Sequence, residues 1–221
     1  MPKIRDERTG TDELIRDGNY HYAALLADPD AAPLATQVKK RLDALVQAQA
    51  ATRSAELVRI EKQALFERAE YLHDHRQSVL ELSVLAAVAR NRKAAAYQEV
   101  YPHGLSALLA LSGEAQEAAT TGLLQKLKAH HPELWKTHAK DLQALAQEAT
   151  AAEKVLKQAQ VDEDRAFLDE QAARAELSRQ LHRDEGALIS LYPGERGTIR
   201  LYYRQQKKRP TRPAAPASAP A

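Results

Sequence analysis

The sequence predicts a mainly α protein: a long antiparallel helical hairpin, forming a coiled-coil stalk, with a small helical head and a short C-terminal β-hairpin. Three observations carry this. The 221 residues include 42 alanines and 29 leucines, against 14 valines and isoleucines, two phenylalanines and one tryptophan. Alanine and leucine are strong helix formers, whereas strands favour β-branched and aromatic residues, and so few large apolar groups cannot fill a thick core. Second, residues 34–97 contain neither proline nor glycine. Third, residues 133–183 keep an alternating three-and-four apolar spacing over more than five heptads.

The elements follow in order. Residues 1–33 read as an irregular N-terminal segment with short helices. Thr11-Asp12-Glu13-Leu14-Ile15 starts one, Asp17-Gly18-Asn19 punctuates it, Tyr20 to Ala27 supplies another, and Asp28-Pro29-Asp30 breaks the chain. Pro33 then suits the first turn of a helix, where no N–H is needed. Residues 34–97 form the first stalk arm, about 95 Å long as one straight helix. Val58, Leu65, Leu72, Val79 and Ala86 recur every seven residues, the spacing of one coiled-coil seam position, although Lys62, Arg76 and Ser83 occupy its companion line.

Residues 98–131 form the helical head at the turning point. Tyr101-Pro102-His103-Gly104 ends the first arm, Leu105 to Gly113 is leucine-rich, and a helix runs from Glu114 to about Ala129 with Ser112 at its N-cap. His130-His131-Pro132 breaks the chain again. Residues 132–184 are the second arm, with a seam of Leu142, Leu145, Ala149, Ala152, Leu156, Ala159, Glu163, Ala166, Glu170, Ala173, Leu177 and Gln180. Asp184-Glu185-Gly186 stops it. In residues 185–204, Ile189 to Tyr192, the turn Pro193-Gly194-Glu195-Arg196-Gly197, and Thr198 to Tyr203 read as strand, turn and strand. Residues 205–221 are a basic Pro/Ala-rich tail with the composition of a disordered segment.

Charge is divided unevenly. Arg204, Lys207, Lys208, Arg209 and Arg212 stand in a stretch with no acid, so the net +2 conceals a slightly acidic body and a basic tail. That division excludes a uniformly basic nucleic-acid-binding domain. The absence of cysteine excludes disulfides, thiolate nucleophiles and Cys-ligated metal. The charged start Met1-Pro2-Lys3-Ile4-Arg5-Asp6 lacks the apolar run of a secretory signal. The longest stretch free of Asp, Glu, Lys and Arg, Val100 to Gly113, is too short to span a bilayer. A cytoplasmic location is the expectation.

Candidate chemistry is sparse. Glu70-Tyr71-Leu72-His73 has the spacing that places two metal ligands on one helix face, but a di-metal bundle needs a second such pair and none occurs. His73 and His75 point about 200° apart on a helix and cannot share an ion. His130 and His131 sit where a helix C-terminus favours an imidazole, with His138 two turns on. Pro193 to Gly197 lacks the lysine of a phosphate loop. The expectation is therefore no enzyme, no catalytic residue, no cofactor and no bound metal.

What remains is association. The sequence predicts a structural or adaptor protein that self-associates, as a homo-oligomer, or binds a protein partner. Its contacts would be the seam at Leu142, Leu145 and Leu156 and the hairpin edges at Ile189, Leu191, Ile199, Leu201 and Tyr203. The head, with Leu82 to Ala89 and Leu105 to Leu111, would bury Trp135 as a core; its alternative is a docking tip or a membrane-surface contact aided by Arg90, Arg92 and Lys93. A second expectation is nucleic-acid or acidic-partner contact through Arg204, Lys207, Lys208, Arg209 and Arg212. A metal-binding helical bundle at Glu70 and His73 is the third.

Overall fold

Helices account for all the regular structure in the computed structural model, which describes residues 10–204. In chain order they are α1 (Thr11–Leu26), α2 (Ala32–Ala87), α3 (Ala95–Val100), α4 (Leu105–Leu109), α5 (Gly113–His130), α6 (Pro132–Leu191) and α7 (Arg196–Leu201). The described residues divide into two compact units, one of 10–50 with 167–204 and one of 51–166, to both of which α2 and α6 contribute. No described helix is long and apolar enough to cross a membrane.

In the first unit, α1 continues straight through Asp17-Gly18-Asn19, where the sequence predicts a break. The reason is packing. A Cβ on Gly18 would lie 3.1 Å from Leu42 and 3.2 Å from Leu177, so the glycine lets α1 approach α2 and α6 closely. Leu14 and Leu25 of α1 join Val38, Leu42 and Leu45 of α2, and Leu177, Leu181 and Leu188 of α6, in one buried core. Each fully buried leucine contributes about 1.5–3 kcal/mol relative to an exposed one. Between α1 and α2, Asp28 holds the turn, accepting from the Asp30 amide at 3.0 Å on its side chain and from Ala32 N–H at 2.9 Å on its carbonyl. Pro33 falls in the first turn of α2, as its fixed φ suits.

The β-hairpin predicted for 185–204 is absent, and no strand occurs among the described residues. Asp184-Glu185-Gly186 does not stop α6, because Leu188, fully buried, rewards another turn and a half of helix. Ile189 to Leu191 close α6, and Pro193 with Gly194, at φ +85°, makes the turn into α7. Ile199, Tyr202 and Tyr203 are buried at i, i+3 and i+4. Ile199, Leu201 and Tyr203 alternate as a strand would, but Leu201 is 69% exposed and burial follows the helical spacing; so short a run carries both periods, which is why the apolar pattern misled.

In the second unit, α2 ends at Ala87, not near 97, without help from glycine or proline. Ala89 and Arg90 take φ values of +52° and +60°, and the Arg90 amide bonds back to the Leu85 carbonyl at 2.7 Å, closing the helix with a left-handed turn. Helices α3, α4 and α5 then fold onto α2 and α6. Leu80, Val84 and Leu85 meet Tyr97, Val100, Leu123, Leu124, Leu127 and Leu142 in a second core, with Leu105, Leu108 and Trp135 packed at its edge. Ser112 stands before α5 but makes no side-chain cap; the left-handed Gly113, φ +57°, begins the helix, and its carbonyl accepts from Thr150 at 3.0 Å.

Candidate functional site

The two long helices treat their apolar lines differently. All twelve seam positions predicted on α6, Leu142 through Gln180, are buried or half-buried, with Leu142, Ala149 and Leu177 fully so. On α2 the buried line of the second unit is displaced by one residue from the predicted one. It passes through Arg59, Phe66, His73 and Leu80 rather than through Val58, Leu65, Leu72 and Val79. Polar groups sit on that inner line because they find partners there. Arg59 Nε lies 2.5 Å from Glu163, and His73 Nε2 lies 3.0 Å from the Thr120 hydroxyl.

The displacement leaves an apolar face outside. Val58 is 44% exposed, Leu65 51%, Leu72 36% and Val155 of α6 49%. Leu65, Ala69 and Leu72 line a groove of about 460 Å³ together with Ala151, Ala152 and Val155. Lys62, Arg68 and Glu148 stand on its rim. Lys62 pairs with Glu61 at 2.8 Å. Neither Arg68 nor Glu148 has a salt-bridge partner among the described residues.

Inside the second unit, polar side chains are sequestered. His73 is fully buried; Gln77 Nε2 donates to Thr120 Oγ1 at 3.2 Å and approaches His73 Nε2 at 3.3 Å. Burial depresses the His73 pKa, opposed by Asp74, whose carboxylate is 3.5 Å from Nδ1. His138 is depressed as well, by burial first and then by the Arg76 charge. Tyr97 donates to the buried Glu81 at 2.6 Å, and burial together with that carboxylate pushes the phenol up to about 12. Glu70 is raised, chiefly by burial and then by Asp74, Glu153 and Glu67. His73 thus turns inward to a hydroxyl, and no group of three or more metal-ligating side chains occurs among the described residues.

The histidine shifts have a consequence for stability. A folded pKa below the ordinary value of 6.5 means that the unfolded chain takes up the proton first. Stability contributed by His73 and His138 is therefore full above 6.5 and is lost as pH falls below it. Urea midpoints are expected to drop between about pH 7.5 and about pH 5.5, and the drop is expected to shrink in a His73→Asn variant. Identical pH profiles for the two proteins would remove His73 from the account.

The first unit holds a polar cluster that sequence reasoning missed. His21 is fully buried, with Nδ1 2.9 Å from the Tyr202 carbonyl and Nε2 3.2 Å from Asp184 Oδ2. Its ring stacks on Tyr203 at 4.6 Å between centroids, and the Tyr203 hydroxyl donates to the Leu181 carbonyl at 2.9 Å. Gln180 donates to the other Asp184 oxygen at 2.8 Å. Tyr192 and Tyr202 both donate to Asp28, and the two bonds lower its pKa; the bond raises that of Tyr192, while burial first and then the bond raise that of Tyr202. The cluster ties α1, α6 and the residues after α7 together.

The other sequence-predicted positions divide by exposure. Leu142 and Leu156 are buried in the second unit and Leu145 is half-buried there. In the first unit, Ile199 and Tyr203 are buried, whereas Ile189, Leu191 and Leu201 are 40%, 44% and 69% exposed on helices rather than on strand edges. Arg204 bonds to Asp17 at 3.1 Å. Lys207, Lys208, Arg209 and Arg212 lie outside the described residues. A separate groove of about 480 Å³ between α5 and α6 is lined by Trp135 with Lys128, Lys136 and Lys140, and Lys128 sits 4.9 Å from the centre of the indole ring.

These features define a mainly helical protein. Comparison of the chain with protein-family models, curated proteins and solved structures gives no match.

Proposed function

We propose that this chain is a non-enzymatic structural or adaptor protein, in which α2 and α6 pair as an antiparallel coiled-coil hairpin and offer an apolar outer face to a protein partner, a second copy included. The pairing is supported by the order of contacts in the second unit. Thr52 bonds to the Ala166 carbonyl, Arg59 pairs with Glu163 and Arg76 with Asp141, so residue numbers rise on one helix as they fall on the other. In the first unit Arg41 lies 3.6 Å from Glu176 in the same sense.

The observation that carries the function is the exposed line of Val58, Leu65 and Leu72. An aliphatic residue repeated every seven positions along a helix is the signature of a surface meant to meet another helix. Here α6 does not cover it. Contiguous exposed apolar surface of this kind, rimmed by charge, marks protein interaction sites.

The test is a Leu65→Glu/Leu72→Glu variant run beside the wild type by gel filtration of lysates from cells producing each chain. The wild type is expected to elute in an assembly larger than the chain alone and the variant at the size of the chain alone, with equal helicity by circular dichroism. Equal elution of the two, or loss of helicity in the variant, would reject the outer face as the contact surface.

A further inference from the structure

We infer that the occupant of this face is a second copy of the chain, arranged about a two-fold axis parallel to the helices, so that α2 of each copy lies on α6 of the other. The inference rests on the proposed role of the face and names its partner and its geometry.

Two facts select this arrangement. First, the groove has a cationic side and an anionic side. Lys62 and Arg68 belong to α2 and Glu148 to α6, and the latter two have no salt-bridge partner within the described chain. Second, Arg68 and Glu148 stand at nearly one level. Arg59 pairs with Glu163 and Arg76 with Asp141, so α2 position 68 falls opposite a residue within about one turn of position 148 on α6.

Symmetry then decides. An interface between two identical copies must use the same patch twice, each residue meeting the residue that its counterpart meets. A two-fold axis running along the helices sets α2 over α6 of the partner at the same level. Arg68 of each copy then faces Glu148 of the other, twice over, while Leu65, Leu72 and Val155 close between them. An axis lying across the helices would instead set α2 on α2, bringing Lys62 and Arg68 of one copy against the same cations of the other. Like charges so juxtaposed disfavour the second arrangement. The first gives four helices with the antiparallel neighbours of an ordinary bundle.

The experiment is the mass of the purified full-length chain by light scattering and sedimentation equilibrium, with dissociation constants for four proteins: wild type, Arg68→Glu, Glu148→Arg and the double swap. The wild type is expected at twice 24.5 kDa. Each single swap is expected to weaken dimerisation about tenfold, and the double swap to return to within about threefold of wild type, because the pair is restored with its sign reversed. Thermal melts of the dilute variants should coincide, which separates a contact between copies from one within the chain.

Three results would overturn the inference. A wild type that stays at the monomer mass removes the second copy as occupant while leaving a different protein partner on the same face. Additive swaps with no recovery remove the Arg68–Glu148 pairing. Tighter association of Arg68→Glu points to the crossed axis, since that change would relieve the repulsion between cations.

Discussion

A His21→Leu variant is expected to lose about 3–5 kcal/mol of folding stability, because it leaves two buried hydrogen-bond partners unsatisfied at about 1–3 kcal/mol each. The geometry explains the size. The two ring nitrogens face two oxygens, the Tyr202 carbonyl at 2.9 Å and Asp184 Oδ2 at 3.2 Å, so the one side chain bridges both groups. The His21 and Asp184 side chains are both enclosed, at exposures of 1% and 2%, so no water replaces a lost bond. Leucine fills the space but strands the carboxylate with Gln180 as its remaining polar contact. It also frees the carbonyl that fixes the end of α7.

Because a small domain is stable by only about 5–15 kcal/mol, that loss would be visible in any denaturant titration. Hydrogen exchange should accelerate most at Ile199 to Tyr203, the segment tied down through His21. The His21→Leu/Asp184→Leu double variant is the decisive control. Replacing both partners with apolar groups is often close to neutral, so the double variant should be more stable than the single one. If the double variant is instead less stable than His21→Leu by a further full increment, the two residues act independently and the buried pair is not what holds the segment.

That cluster could not have been read from sequence. His21 and Asp184 are 163 residues apart, and each appears there as an isolated polar residue beside a turn signal. What was legible is whatever one helix face decides by itself. The α6 seam is unbroken by charge over its first half, so its phase is unambiguous, and every predicted position is covered. On α2 the inner line contains Arg59, His73 and Gln77, whose burial depends on Glu163 and Thr120 in distant helices. Sequence periodicity therefore favoured the more apolar line beside it, and that line is the one left outside. The same limit explains Gly18 and Gly186. Taken locally they are breakers, yet Gly18 is required by the closeness of Leu42 and Leu177, and Gly186 is carried by the burial of Leu188 two residues later.

The second large effect is expected at Leu142, which the sequence offered equally as a partner contact and as a seam residue. Fully buried against Leu80, Val84 and Leu127 in the second core, it has no surface left for another chain. Leu142→Ala is expected to cost about 2–5 kcal/mol, since the cavity cannot fully collapse among side chains drawn from three helices. Leu82 lies on the turn of α2 that also supplies Leu80 and is 65% exposed. Leu82→Ala should change folding stability by no more than about 0.5 kcal/mol, as for most surface positions. Urea midpoints of the two variants, measured at one dilute concentration, give the comparison directly. A large loss for Leu142→Ala with an unchanged mass assigns the α6 seam to the inside of the chain and leaves association to the outer face of α2. A small loss accompanied by dissociation of an assembly would reverse that assignment and make the α6 seam the interface.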